Sequence, residues 1–311
     1  MNKDTNILVT HGGGSGPIGV IKSLKSINFE GKIVVTDNND IYAARVLADV
    51  HYKVPSSNDK HFPDAIFNII KKENINLIIP TGDTDLLFFT KNKQKFNTMG
   101  VDIFMSDYES VAICLNKFTF YEKCKDKFPL PKTSLDYKDL EFPLFAKPKQ
   151  HSAGSKGVSL CKQEYNIQCL QHDRYTYIYQ EHLPGQEYTI DVLCDMDSNP
   201  LVTIPRKRLE LNEGVSFKGE IISDIDIENI CNDICKFLKL KGPICLQMKE
   251  DKDGNLKFVE INPRIGGSTY FTTLAGVNFL EIILKEINQE AYKISKPDEI
   301  TIARYYEEVI L

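Results

Sequence analysis

Glu260 and Asn262 sit two residues apart in the run Lys257–Asn262, and Gln247 sits in the run Ile244–Lys249. Asp253-Gly254, between the two runs, is a strong two-residue hairpin turn. A turn centred there sets Gln247 directly opposite Glu260. Side chains of a strand alternate with period 2, so Glu260 and Asn262 share a face. Directly opposed residues have Cβ atoms roughly 4.5–5.5 Å apart, which brings a carboxylate and two amide oxygens within reach of one hard cation. Mg²⁺ takes few protein oxygens and completes its shell with water and phosphate. The plainer reading is a solvated polar strand face. The following residues weaken it, because the chain continues Pro263-Arg264-Ile265-Gly266-Gly267-Ser268. Arg264 keeps the same alternation and can hold a phosphate oxygen with its fork of N–H donors.

Upstream, Phe142–Lys149 reads FPLFAKPK. Lys147 lies inside an apolar strand pattern, where an unpaired ammonium is costly and calls for an anion. The loop that follows, His151 to Gly157, is small, polar and glycine-containing, with Ser152, Gly154 and Ser155 at its centre. Its backbone N–H groups can cover phosphates. It is not a Walker A loop, since no G-K-[ST] occurs. Next comes Tyr179-Gln180-Glu181-His182-Leu183-Pro184-Gly185-Gln186-Glu187. A strand running into a Pro-Gly bend leaves backbone groups for an adenine edge, and Glu187 can accept from ribose hydroxyls.

The elements that must position these residues fall into two textures. Asn6–Thr10, Lys32–Thr36, Leu77–Pro80 and Asp102–Met105 read as strands. Helix patterns at 18–27, 62–73 and 83–96 separate them. Such alternation implies βαβ units and a parallel sheet that binds ligands at the carboxyl ends of its strands. Those ends carry Gly12–Gly16, Asp37 and Thr81–Asp85. After Ser110, strands dominate: 142–149, 158–161, 175–180, 186–194, 201–208, 244–249 and 257–262, with helices at 225–238 and 279–285. Boundaries near residues 112 and 184 divide the chain into 1–112, 113–184 and 185–311.

Gly14-Ser15-Gly16-Pro17-Ile18-Gly19 matches G-x-G-x-x-G between a strand and a helix, and Asp37 ends the next strand. This is the context of a dinucleotide fingerprint. A tight strand-to-helix turn and an anionic substrate at the helix N-terminus are its rivals. Asp83 and Asp85 suit an amine, or else cap and surround a helix start.

The series from Lys147 to Arg264 resembles the ATP-grasp superfamily, and most of all the ligases related to the carbamoyl-phosphate synthetase large subunit. The resemblance covers nearly the whole chain. It implies an α/β fold: an N-terminal pre-ATP-grasp parallel domain (1–112), a lid subdomain (113–184) and a nucleotide- and metal-binding subdomain (185–311). The last two form an α+β ATP-grasp fold. It implies that Lys117 and Lys147 contact ATP phosphates, and that the backbones of Glu181 and Leu183 face adenine and Glu187 the ribose. Gln247, Glu260 and Asn262 would hold Mg²⁺ (or Mn²⁺), with Arg264 neutralising phosphate charge. Arg206-Lys207-Arg208 resembles a basic strand that the family aims at ATP or at an acyl phosphate; Arg206 and Arg208 share a face and Lys207 takes the other. Two departures stand out: Asn116-Lys117 where the family often has Asp-Lys, and Gln247 where many relatives have an acid.

The activity so implied is an ATP-dependent carboxylate–amine ligase that forms an amide through an acyl phosphate and takes small-molecule carboxylate and amine substrates. An ATP-binding regulator, a carboxylate kinase and an NAD-dependent oxidoreductase are the alternatives; the last leaves the second half unexplained. Homodimers are common in the resembled family. Composition fits a soluble globular protein of 311 residues, with 42% hydrophobic and 26% charged residues. A net charge of −5 argues against nucleic acid as the main partner. No apolar run reaches the length of a membrane span, and the short apolar start suits a cytoplasmic protein. The eight cysteines form no C-x-x-C pair and read as reduced, buried thiols. His11, His51, His61 and His172 carry no usable pattern. His151 and His182 lie in the phosphate loop and the adenine strand.

Overall fold

The computed structural model describes residues 5–150, 157–172 and 174–311. Five parallel strands form the first sheet: β1 (Asn6–Val9), β2 (Ile33–Asp37), β3 (Val50–Lys53), β4 (Ile75–Ile79) and β5 (Asp102–Ile103), in the order β3-β2-β1-β4-β5. β1, β2 and β4 are almost wholly apolar because helices cover both faces. The helix Phe62–Glu73 lies where its apolar spacing puts it. Phe62, Ile66, Ile69 and Ile70 turn inward, and Asn74 ends it in the left-handed region. The helix expected over 83–96 is instead two helices, Leu86–Lys91 and Lys93–Thr98. Asn92 breaks it: its backbone N and its Nδ2 both donate to Phe88 O, so side chain and ladder compete for one carbonyl.

A small antiparallel sheet follows, with β6 (Thr133–Ser134), β7 (Leu144–Pro148), β8 (Ser159–Cys161) and β9 (Tyr177–Glu181) in the order β6-β9-β7-β8. The third sheet is antiparallel with six strands: β10 (Glu187–Cys194), β11 (Pro200–Asn212), β12 (Val215–Ile221), β13 (Gly242–Glu250), β14 (Leu256–Asn262) and β15 (Thr301–Ala303). Their order is β14-β13-β10-β11-β12-β15. The helices Tyr108–Leu115 and Lys117–Cys124 send Cys114, Phe120 and Cys124 into the core of this large sheet. The Phe258 amide also donates to Pro129 O. The small sheet therefore begins at Thr133, and the chain before it braces the large one.

The first and third sheets share one core, in which Ile7, Val20, Ile21 and Leu24 pack with Ile204, Ile221, Phe271 and Ile283. Polar links run across it. Ser23 Oγ lies 2.8 Å from Thr273 Oγ1, and Asn278 Nδ2 donates to Ser23 O at 2.7 Å. All eight cysteines are unpaired, and all but Cys169 are buried. Burial pushes the Cys124 thiol up to about 11 and Cys245 up to about 12, which makes them packing groups rather than nucleophiles. Among the described residues no helix is long and apolar enough to cross a membrane.

Candidate active site

Strand alternation divides the large sheet into two unlike faces. Tyr188, Ile190, Val192, Ile244, Leu246, Met248 and Ile261 form the apolar one. The helix Ile225–Phe237 covers it with Ile227, Cys231, Ile234 and Cys235. The opposite face is polar. Glu260, Gln247, Thr189 and Arg206 pair in one row across β14, β13, β10 and β11. Asn262, Cys245 and Asp191 form the next row.

The expected Gln247–Glu260 pairing is present. It arises through two departures that cancel. Asp251 N donates to Asn255 O at 2.9 Å, so the connection is longer than a two-residue turn. Nearest the turn, Lys249 pairs with Lys257 and Glu250 with Leu256. The ladder then shifts between Met248, opposite Phe258, and Gln247, opposite Glu260. Val259 is the extra residue of a bulge that restores the predicted facing.

Lysines gather over this row. Lys117 Nζ stands 3.4 Å from Glu260 Oε1. It opens the helix Lys117–Cys124, whose N-cap is Asn116; Asn116 Oδ1 accepts from the Phe118 and Thr119 amides. Asparagine thus serves as the N-cap here, a position that aspartate would also suit. Lys147 projects from β7, partly buried, and donates to Gln180 Oε1 at 2.6 Å. Gln180 is fixed in turn by Thr133 Oγ1 at 3.0 Å. Burial pulls the Lys147 ammonium down to about 8; Glu260 and Glu187 hold it up, and Lys117 and Lys249 push it down. The need for an anion, inferred from the apolar run, is met here by an amide oxygen and nearby carboxylates.

The basic residues separate into distinct roles. Arg264 grips Asp83 with two bonds of 2.6 Å, from Nε to Oδ1 and from Nη2 to Oδ2. Its Nη2 also lies 3.5 Å from Asn262 Oδ1. Arg264 thereby ties the polar face to the end of β4. Arg206 has no exposed surface. Its Nη1 donates to Asp191 Oδ2 and its Nη2 to Ser268 Oγ, each at 2.8 Å. Asp191 also receives Thr269 Oγ1 at 3.0 Å and Thr272 Oγ1 at 2.7 Å. Arg206 therefore lies behind the 264–269 loop, with Asp191. Arg208 is bonded to Glu187 and to Gly214 O. Lys207, on the other face, pairs with Glu220.

Glu181 ends β9; its amide donates to Lys132 O and its carboxylate binds Lys257. Leu183 is buried. Glu187 Oε2 lies 3.9 Å from Lys249 Nζ. The structure thus assembles Lys117, Lys147, Glu187, Gln247, Glu260, Asn262 and Arg264 around one face. Ser152, Gly154 and Ser155 lie outside the described residues. Asp191, Gln180 and the pairing of Asp83 with Arg264 were not read from the sequence. Asp191 carried the same signal as Lys147, a charge within the apolar run Ile190–Cys194.

At the glycine-rich start, Asp37 does not reach outward. Its Oδ2 accepts from Gly13 N and its Oδ1 from Asn39 N, both at 2.8 Å. The carboxylate that a ribose would need is engaged by the loop itself. The helix Ser15–Ser26 abuts the large domain, since a Cβ on Gly267 would sit 2.5 Å from Ser15 Oγ.

Fold and site together define an α/β protein in which a parallel domain meets a face of paired oxygens and lysines between two antiparallel sheets. Residues 7–104 match the family described as PylC-like, N-terminal domain, and residues 173–309 the family described as ATP-grasp in the biosynthetic pathway with Ter operon. These matches support the ATP-grasp resemblance that the motifs carry. It is 26% identical over 245 residues to a D-aspartate ligase of Enterococcus faecium, covering 68% of this chain and 58% of that protein. It is 22% identical over 303 residues to the carbamoyl phosphate synthase large chain of Methanobrevibacter smithii, covering 84% of this chain and 28% of that one. The chain therefore spans less than two thirds of the length of these relatives. The N5-carboxyaminoimidazole synthetase of Staphylococcus aureus, solved with ADP, shares the fold with a TM-score of 0.73 at 14% identity, over 94% of this chain and 80% of that one.

Proposed function

We propose that the chain is an ATP-dependent carboxylate–amine ligase that forms an amide through an acyl phosphate. The observation that carries this reading is the Glu260–Gln247 row with Lys117 and Lys147 standing over it, joined to the parallel domain by Arg264 and Asp83. A polyanion fits a face where lysines crowd two carboxylates. The relative named as a D-aspartate ligase supports the same class.

In this reading a substrate carboxylate attacks the γ-phosphorus of ATP, giving an acyl phosphate and ADP. An amine then displaces phosphate to form the amide. Phosphoryl transfer asks the protein for positioning and charge neutralisation more than for covalent chemistry. Lys117 and Lys147 take phosphate oxygens, Glu181 and Leu183 border the adenine, and Glu187 accepts from the ribose. Arg264 stabilises charge at the transferred group from a position fixed by Asp83. One carboxylate and two amide oxygens suit a hard cation of six oxygen ligands, so Gln247, Glu260 and Asn262 would hold Mg²⁺ (or Mn²⁺). When bound, that ion supplies further positive charge at the phosphate oxygens.

Lys147 gives the reading a pH signature. Its ammonium is charged below about 8 and neutral above it. Nucleotide affinity should therefore fall as pH rises through that value, and Lys147→Arg should flatten the profile because a guanidinium stays charged. Calorimetric Mg-ATP titrations across this range check it; affinity independent of pH in the wild type contradicts it. The reading as a whole is tested by ADP release from Mg-ATP with pairs of small carboxylic and amino compounds. Release that needs both members of a pair, with the amide found in the products, is expected. Release that needs the acid alone, with no amide from any amine, would make the protein a carboxylate kinase.

A further inference from the structure

Glu187 and Arg208 bind each other where the β11–β12 hairpin leaves the large sheet. β10 starts at Glu187, and the pairing of Tyr188 with Lys207 sets Glu187 opposite Arg208 on the neighbouring strand. Beyond Arg208 the hairpin runs past the end of β10. A straight strand, rising about 3.4 Å per residue, would carry Gly214 out of the reach of Arg208. The hairpin is not straight. Its register shifts between Arg208 and Glu210 and again between Glu210 and Leu211, which bends it. Glu213 and Gly214 turn it, with φ of 48° and 80°. The turn comes back over the polar face. Gly214 O accepts from Arg208 Nη2, and a Cβ on Gly267 would lie 3.2 Å from Val215 Cγ1. The turn thus rests on the loop that carries Arg264.

Arg264 and Arg208 are held differently. Arg264 meets Asp83 with two bonds, one to each oxygen. Arg208 gives Glu187 a single bond, from Nη1 to Oε1, and its buried Nε has no partner. Lys249 Nζ stands 3.9 Å from Glu187 Oε2, so the carboxylate keeps a cation nearby when Arg208 leaves. Gln186 Nε2 donates to Arg208 O at 3.0 Å, which fixes the strand and leaves the side chain as the movable part. Asn212 Nδ2 also donates to Tyr306 Oη, but Tyr306 is 74% exposed. The buried tether of the turn is Arg208.

We propose that Arg208 is a latch worked by the ribose of a bound nucleotide: in the nucleotide-free protein it occupies Glu187 and holds the 213–214 turn down, and it lets the turn go when ribose hydroxyls take the carboxylate. The inference rests on Glu187 as the ribose acceptor. The 2′- and 3′-hydroxyls bring two donors side by side to the two carboxylate oxygens, where the guanidinium brings one. Ribose and Arg208 compete for one group, so ribose binds the released state better and shifts the population toward it. Nucleotide affinity is then weaker than the open site alone would give, by the strength of the latch.

The test follows hydrogen exchange of residues 209–217 with ADP and with 2′,3′-dideoxy-ADP, which keeps the adenine and phosphates but lacks both hydroxyls. Thermal stability reports the binding of each. ADP should speed exchange of this segment about tenfold, as expected when a bond from a charged group is lost, and the dideoxy compound should bind without doing so. Arg208→Ala should exchange fast without nucleotide and change no further with ADP. Glu187→Gln, which keeps the size of the side chain, should behave likewise and decides the matter should Arg208→Ala fail to fold. Bound ADP with the segment unchanged or slowed, equal loosening by the dideoxy compound, or wild-type protection in the variants would overturn the latch and leave the nucleotide reading standing. No binding of either nucleotide would overturn that reading and the latch with it.

Discussion

Replacing Glu260 with alanine is expected to lower ATP-dependent turnover by about a thousandfold or more, the scale seen when one charge-stabilising element is lost from phosphoryl or acyl transfer. The size follows from its position. Glu260 is the one carboxylate among the three oxygen donors proposed for the cation, the others being the amides of Gln247 in its own row and of Asn262 in the next. It also lies 3.4 Å from Lys117 and raises the Lys147 pKa. Alanine leaves two neutral amides to hold a divalent cation and removes the anion around which the lysines are arranged. Steady-state ADP release checks this, and turnover within tenfold of wild type would contradict it.

Asp191→Ala should act on stability instead, costing about 3–5 kcal/mol, the range for removing one member of a buried ion pair. Asp191 and Arg206 both have no exposed surface, and the change strands the Arg206 guanidinium with Ser268 as its remaining partner. It also removes the acceptor of Thr269 and Thr272, which hold the chain just beyond Arg264. Urea denaturation measures the loss; a cost below about 1 kcal/mol would show that the pair is not the structural anchor described.

The sequence exposed the site best where a polar residue interrupts an apolar pattern. Lys147 within FPLFAKPK was legible because a charge in such a strand needs a partner, although the partner, Gln180, was not. Gln180 pairs with Phe145 rather than Lys147 and meets the ammonium on the diagonal, a register that single-strand patterns do not reveal. The Gln247–Glu260 facing was read correctly from a turn that is in fact longer, because a bulge at Val259 offsets it. Arg206 and Arg208 were legible as a shared face but not by depth, since period 2 says nothing of what lies above a sheet. Asp37 matched a ribose-binding position by spacing, yet its oxygens are spent within the glycine loop.

Elements with weak apolar patterns escaped notice for a related reason. β3 alternates partly buried and exposed residues at the sheet edge, and β15 adds three residues to the edge strand β12. Each depends on a neighbouring strand for its hydrogen bonds rather than on a hydrophobic run of its own. The helices Tyr108–Leu115 and Lys117–Cys124 meet end to end at Asn116, too short to show a long period. Their importance became visible only through Cys114, Phe120 and Cys124 in the large core, and through Lys117 over Glu260.

The most direct measurement is thermal stability of the wild type and of Glu260→Ala, each with Mg-ATP, with ATP plus EDTA, and with NADH. A ligand at about 100 times its dissociation constant stabilises by ~2.7 kcal/mol, enough to raise the melting temperature by a few degrees. The nucleotide face described here predicts such a rise for the wild type with Mg-ATP, a smaller one with EDTA or in Glu260→Ala, and none with NADH. A rise with NADH alone, or a Mg-ATP response unchanged by removing Glu260, would contradict it.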